Sequence, residues 1–124
     1  MPFLTIGDQT LHYAVDGAAS APALILSNSL GANLTMWDRQ AAQWAKRFRV
    51  VRYDQRGHGR SSAPEGDYSM EMLGRDVLAL MDHLKIERAD WCGISMGGMT
   101  GMWLALHAQE RMGRLVLANT SAYR

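Results

Sequence analysis

The chain has 124 residues, 48% hydrophobic and 20% charged, enough for one modest globular domain and no second one. Thirteen basic and 12 acidic side chains leave a formal net charge of +1, scattered without runs, which offers no field for gripping nucleic acid or an anionic lipid surface. No apolar run approaches membrane-spanning length, the start lacks a basic-then-apolar targeting pattern, and the single Cys92 cannot close an internal disulfide, so the sequence predicts a cytoplasmic protein.

Phe3–Ile6 and Thr10–Val15 are rich in β-branched and aromatic residues and flank Gly7-Asp8-Gln9, the pattern of an antiparallel hairpin closed by Asp16-Gly17. A polar loop to Pro22 leads into Ala23–Ser27, an unbroken apolar run of the kind buried on both faces of a parallel sheet. After a glycine-containing loop, Asn28–Asn33, the apolar positions Leu34, Trp37, Ala41, Trp44 and Phe48 recur at threes and fours and predict one helix lying on that sheet. Arg49–Tyr53 is the next strand, followed by a turn-rich polar loop from Asp54 to Ser62. Ser69 caps a second helix with Glu71 in its first turn, and Met70, Leu73, Val77, Leu80, Met81 and Leu84 mark its apolar face. Ala89–Ile94 reads as a strand, Met96 to about Glu110 as a helix, and Leu115–Ala118 as a final strand. The fold class is therefore α/β: an antiparallel hairpin and a mostly parallel sheet with helices on both faces. The nine methionines and the four tryptophans, Trp37, Trp44, Trp91 and Trp103, read as core packing.

The chemistry concentrates at Gly93-Ile94-Ser95-Met96-Gly97, a G-x-S-x-G turn between an apolar strand and a helix. Such a nucleophile elbow reverses the chain so sharply that the serine is strained and its hydroxyl is held out. Serine is a weak nucleophile unless a base takes its proton and donors receive the charge formed on the substrate oxygen. The Met96 N–H begins the helix and points where that oxyanion would form; the Leu30 N–H, in the loop after the buried strand, is the second candidate donor. Gly97, Gly98 and Gly101 early in a helix cost roughly 1 kcal/mol each against alanine, which argues for close backbone packing there. Cys92, inside the strand, reads as a small buried hydrophobe.

The segments Leu26–Gly31, Met36-Trp37-Asp38, Arg52–Ser61, Leu73–Val77 and Cys92–Met99 together resemble the α/β-hydrolase superfamily, and more narrowly the 3-oxoadipate enol-lactonases of the β-ketoadipate pathway. The resemblance implies Ser95 as nucleophile, Leu30 and Met96 N–H groups as oxyanion hole, and ring opening of 3-oxoadipate enol-lactone by water with no metal or organic cofactor. It also marks Asp54, Arg56 and His58 as residues that structure their loop. Arg56 and Arg60 are candidates for attracting substrate carboxylates, against the plainer reading of surface solubility.

The superfamily places its acid and histidine after the serine, yet beyond Ser95 this sequence has only Glu110 and His107, predicted about 20 Å along the same helix at 1.5 Å per residue. His12 falls in the hairpin and His83 at a helix end, neither placed as a base. The chain thus reads as the N-terminal part of an α/β-hydrolase domain, residues 1–124, without lid, later strands or triad partners. Two other readings stay open: a catalytically incompetent fragment or complementation module, self-associating or pairing with a C-terminal segment; and a general carboxylesterase of the same fold. Gly57–Ser62 imitates a phosphate loop only loosely, lacking its Lys-Ser/Thr ending.

Overall fold

Runs of β-branched and apolar residues at the predicted places build a six-stranded sheet. The computed structural model describes residues 3–6, 9–28, 33–55 and 69–118. β1 (Phe3–Ile6) and β2 (Gln9–Asp16) pair antiparallel, Phe3 opposite His12 and Ile6 opposite Gln9. β2 then lies antiparallel to β4 (Arg49–Tyr53), with Tyr13 facing Tyr53. β3 (Ala23–Ser27) is central and parallel to both β4 and β5 (Ala89–Ile94), and β6 (Met112–Ala118) is parallel to β5. The spatial order is β1-β2-β4-β3-β5-β6.

Because successive residues of a strand point to opposite faces, the apolar runs supply two cores. Ile25, Val51, Tyr53 and Trp91 point to one face and pack with Val77, Leu80 and Met81 of α2 (Met70–His83) and Leu104 of α3 (Met96–His107). Leu26 and Val50 point to the other and meet Trp37 and Ala41, with Trp44 and Phe48 partly buried beside them. Ala41 belongs to α1 (Asp38–Trp44). Helices on both faces explain why the central strands carry no polar alternation. Ser69 caps α2 as predicted, its hydroxyl accepting from the Met72 N–H at 3.1 Å.

β2 runs one residue longer at each end than predicted, and three further boundaries differ by three residues or more. The single helix over Leu34–Phe48 is instead a 3-10 turn, Leu34–Trp37, followed by α1 and ending at Trp44. The tighter turn superposes positions three apart, which buries Leu34 and Trp37 together; Asn33 caps it, its side chain accepting from the Thr35 N–H at 2.9 Å. Phe48 reaches the same core from the turn before β4, where the Arg49 N–H bonds the Pro22 carbonyl at 2.8 Å. The third helix stops at His107 because Ala108 leaves helical backbone at φ −141°, and Glu110 sits in a short 3-10 turn, Gln109–Arg111. β6 starts at Met112, three residues before Leu115; the pairing slips between Ala89 and Trp91, and the Asp90 carboxylate accepts the Arg114 N–H at 2.8 Å. Met-Gly-Arg carries no strand periodicity, so the start of β6 is invisible to pattern. Trp37 and Trp91 are core residues as predicted, whereas Trp44 and Trp103 are only partly buried. Among the described residues no helix is long and apolar enough to cross a membrane.

The two-faced sheet makes a testable contrast between its centre and its edge. Ile25→Ala on the central strand removes a fully buried side chain and should lower urea-unfolding stability by about 2 to 5 kcal/mol. Val116→Ala on β6, where the side chain is 60% exposed, should change it by no more than about 0.5 kcal/mol.

Candidate active site

The strand β5 ends at Ile94 and α3 begins at Met96, leaving Ser95 alone to turn the chain. Its backbone sits at φ +56°, ψ −115°, and only Lys85 shares a positive φ among the described non-glycine residues. Such a conformation costs about 1 to 3 kcal/mol and persists only where its surroundings over-determine it. Those surroundings are visible on every side. The Ser95 N–H donates to the Ala118 carbonyl at 2.9 Å, the Ser95 carbonyl accepts from Met99 at 3.1 Å, and the Gly97 N–H donates to the Asn28 carbonyl at 3.1 Å.

Close approach is what the flanking glycines permit. A Cβ at Gly97 would run into the backbone carbonyl of Ser27, and one at Gly93 would run into the Gly97 carbonyl. The end of β3, the end of β5 and the first turn of α3 therefore touch backbone to backbone. The indole N–H of Trp91 donates to the Gly97 carbonyl at 3.1 Å, fixing the same turn from the core side.

Beneath the turn lies a buried polar frame whose main acceptor is the Asn28 carbonyl. It takes the Gly97 N–H and also the Gln55 amide at 3.1 Å. The Asn28 side chain is used at both ends, donating to the Tyr53 carbonyl at 3.1 Å and accepting the Trp37 indole N–H at 2.7 Å. Ser27 Oγ and the Tyr53 hydroxyl share a hydrogen bond of 2.8 Å. Burial pushes the Tyr53 phenol well above its ordinary pKa; the Ser27 bond opposes this and the Asp76 charge adds to it, so Tyr53 stays protonated. Asp54 accepts the Leu34 N–H at 2.6 Å and pairs with His12 Nδ1 at 2.7 Å, both side chains buried. Arg52 bonds the Leu34 carbonyl at 3.3 Å, Asp38 at 2.6 Å and Asp16 at 3.1 Å. The chain segments on either side of residues 29–32 are thus both fastened to the end of β4.

Of the residues singled out from sequence, Ser95 and Met96 stand together at the strand-to-helix turn, and Met96 opens α3, where backbone N–H groups have no partner within the helix. Leu30, Arg56, His58 and Arg60 lie outside the described residues. His107 is the last residue of α3, about 18 Å along the axis from Ser95 at 1.5 Å per residue, and its Nδ1 bonds the Trp103 carbonyl at 2.9 Å. His12 is held by Asp54 and His83 by the Tyr13 hydroxyl at 3.2 Å. Cys92 is half-buried, with its thiol pKa raised by burial, in keeping with its reading as a small hydrophobe. The described residues contain no group of three or more His, Cys, Asp or Glu able to hold a metal ion. Asn28, Gln55 and Trp37 escape sequence reasoning as a unit, since 27 residues separate the two ends of the Gln55 to Asn28 bond. The one available signal is polar residues placed directly after two apolar strands, Ser27-Asn28 and Asp54-Gln55.

Residues 22–123 of the chain match a known family model, that of the alpha/beta hydrolase fold. The chain belongs to the alpha/beta hydrolase fold family. It is 55% identical to 3-oxoadipate enol-lactonase 2 of Acinetobacter baylyi over 96% of its own length and 45% of that protein's. Among solved structures it superposes on a hydrolase from Pseudomonas aeruginosa with a TM-score of 0.96 at 54% identity, covering 99% of this chain and 47% of that one. The enol-lactonase of Burkholderia xenovorans gives a TM-score of 0.94 at 52% identity, with coverage of 98% and 47%. The chain therefore spans just under half the length of these relatives.

The glycine contacts predict that Gly97→Ala forces the Ser27 backbone and α3 apart. Urea unfolding should register a loss of about 1 to 3 kcal/mol, the range for inserting a methyl group into packed structure. Unchanged stability would contradict the close approach.

Proposed function

We propose that the protein is a serine-nucleophile hydrolase of a small enol-lactone, opening 3-oxoadipate enol-lactone with water to give 3-oxoadipate. One observation carries the reading: Ser95 stands at φ +56° between β5 and α3, with its neighbours bonded in place. Likeness to enol-lactonases at 55% and 52% identity supports the choice of substrate.

In this reading the Ser95 oxygen attacks the lactone carbonyl carbon while its proton passes to a base. The oxyanion formed is received by the Met96 N–H, backed by the α3 dipole, and by the Leu30 N–H. Losing one such donor typically costs about 3 to 4 kcal/mol of transition-state stabilisation. The ring C–O bond then breaks, the enol oxygen takes up a proton, and water cleaves the acyl-serine ester, releasing the second carboxylate; the enol relaxes to the ketone. Arg56 and Arg60 attract the substrate's carboxylate. No step calls for a metal or organic cofactor. The base is assigned to none of the described histidines on grounds of position: His12 lies on β2, three strands away from β5, His83 ends α2, and His107 ends α3, about 18 Å along that helix from Ser95.

An alternative reading, a module that is catalytically incompetent by itself, draws on the placement of those histidines and on coverage of only 45% of a relative's length. An oxyanion hole without its triad partners still leaves roughly a thousandfold acceleration over water. Enol-lactone disappearance measured with the chain and with Ser95→Ala separates the two. The hydrolase reading expects the variant to lose the acceleration at least tenfold; equal rates in the two proteins would refute it.

A further inference from the structure

The first turn of α3 is held from two sides through a single residue. Gly97 donates its N–H to the Asn28 carbonyl, at the end of β3, at 3.1 Å, and its own carbonyl accepts the indole N–H of Trp91, from β5, at 3.1 Å. The carbonyl before it, that of Met96, takes the Thr100 hydroxyl at 3.1 Å. A carbonyl early in an α-helix finds its partner in the N–H four residues on, so nothing in helix geometry asks for the indole. It comes from outside the helix, and the sequence makes room for it.

The room is made by glycines. A Cβ at Gly93 or at Gly101 would overlap the indole nitrogen of Trp91. Gly93 and Gly97 belong to the G-x-S-x-G turn itself, but Gly101 lies four residues beyond it, inside α3, where glycine is destabilising against alanine. What Gly101 admits explains its presence. Trp91 is 1% exposed, lies on the face of the sheet that packs against α2 and α3, and passes beside Gly93 and Gly101 to the Gly97 carbonyl. Apolar burial alone is met by phenylalanine as well. Tryptophan adds an N–H that seeks a partner when buried, and its partner here is the turn that follows Ser95.

We propose that Trp91 is a positioning residue for the reaction at Ser95: its indole N–H, acting on Gly97 opposite the Asn28 carbonyl, fixes the orientation of the first turn of α3 and with it the direction of the Met96 N–H. The inference rests on the hydrolase reading above. In that reading the Met96 N–H must meet the oxyanion at about 2.7 to 3.1 Å, and it acts on the transition state more than on bound substrate. A turn free to tilt about the Asn28 bond alone holds that donor off its mark, and a misplacement of about 1 Å can lower a rate about a hundredfold. Trp91 is buried beneath the turn and acts only through Gly97.

Two variants of the chain reach the indole from opposite sides. Trp91→Phe keeps an aromatic ring in the core and removes the donor; Gly101→Ala keeps the donor and pushes on it. Each should lower kcat for the enol-lactone about tenfold with KM unchanged, because the lost contribution is made in the transition state. Ile25→Ala loosens the same core without touching the turn and should leave kcat per folded molecule as in the parent. Amide exchange gives a readout that needs no turnover: in Trp91→Phe, Gly97 should exchange about tenfold faster, relative to the amides of β3, than it does in the parent. Should the parent turn over no faster than Ser95→Ala, the hydrolase reading fails, and the exchange ratio alone decides whether Trp91 positions the turn. Parental kcat in both variants, a loss confined to KM, an equal loss of kcat in Ile25→Ala, or an unchanged exchange ratio would each overturn the proposal.

Discussion

The carbonyl oxygen of Asn28 accepts two hydrogen bonds, from the Gly97 N–H and the Gln55 amide, and on this shared acceptor the whole arrangement depends. It joins the ends of three separate stretches of chain, those closing β3, closing β4 and opening α3. Loss of either donor removes one hydrogen bond, worth about 0.5 to 1.5 kcal/mol net; loss of both would leave the buried carbonyl unsatisfied. Because the frame is buried, its bonds act in a medium of low dielectric and reinforce one another. That is the physical reason Ser95 can hold a backbone conformation that an isolated chain would abandon. The same frame fastens both flanks of residues 29–32, through Asn28 on one side and through Asp54 to Leu34 on the other.

The sheet supplies the rigidity that this frame needs. Central β3 is covered by α1 on one face and by α2 and α3 on the other, so the Ser27-Asn28 end has little freedom. Burial falls off outward from there: Trp91 of β5 is fully buried, whereas Val116 of β6 and the nearby Leu106 are exposed. The turn at Ser95 lies between these regimes, since the Ser95 N–H bonds the last residue of β6. The Ser95 turn and the edge strand β6 are thereby joined through one hydrogen bond.

The strands and the elbow were legible because they depend on local pattern. Ala23–Ser27, Arg49–Tyr53 and Ala89–Ile94 are bounded in the structure as their apolar runs predict. The G-x-S-x-G turn declares itself by glycines that are needed for contact. What pattern misses is tertiary. The change from 3-10 to α geometry at Trp37 answers to the depth of the core beneath Leu34, and the early start of β6 answers to an Asp90 side chain capping the Arg114 N–H. His12 illustrates the limit best. In sequence it is one more residue of a hairpin; in the fold it meets Asp54, 42 positions away, and becomes part of the frame beside the site.

The hydrogen bonds around Ser95 make its turn a rigid element rather than a frayed helix start, and hydrogen exchange of the Gly97 amide in the native chain tests that most directly. If the Asn28 carbonyl holds this N–H, it should exchange only through global unfolding, with the same free energy and denaturant dependence as the amides of β3. Exchange of Gly97 near the rate of an open helix terminus, while the β3 amides stay protected, would contradict the account.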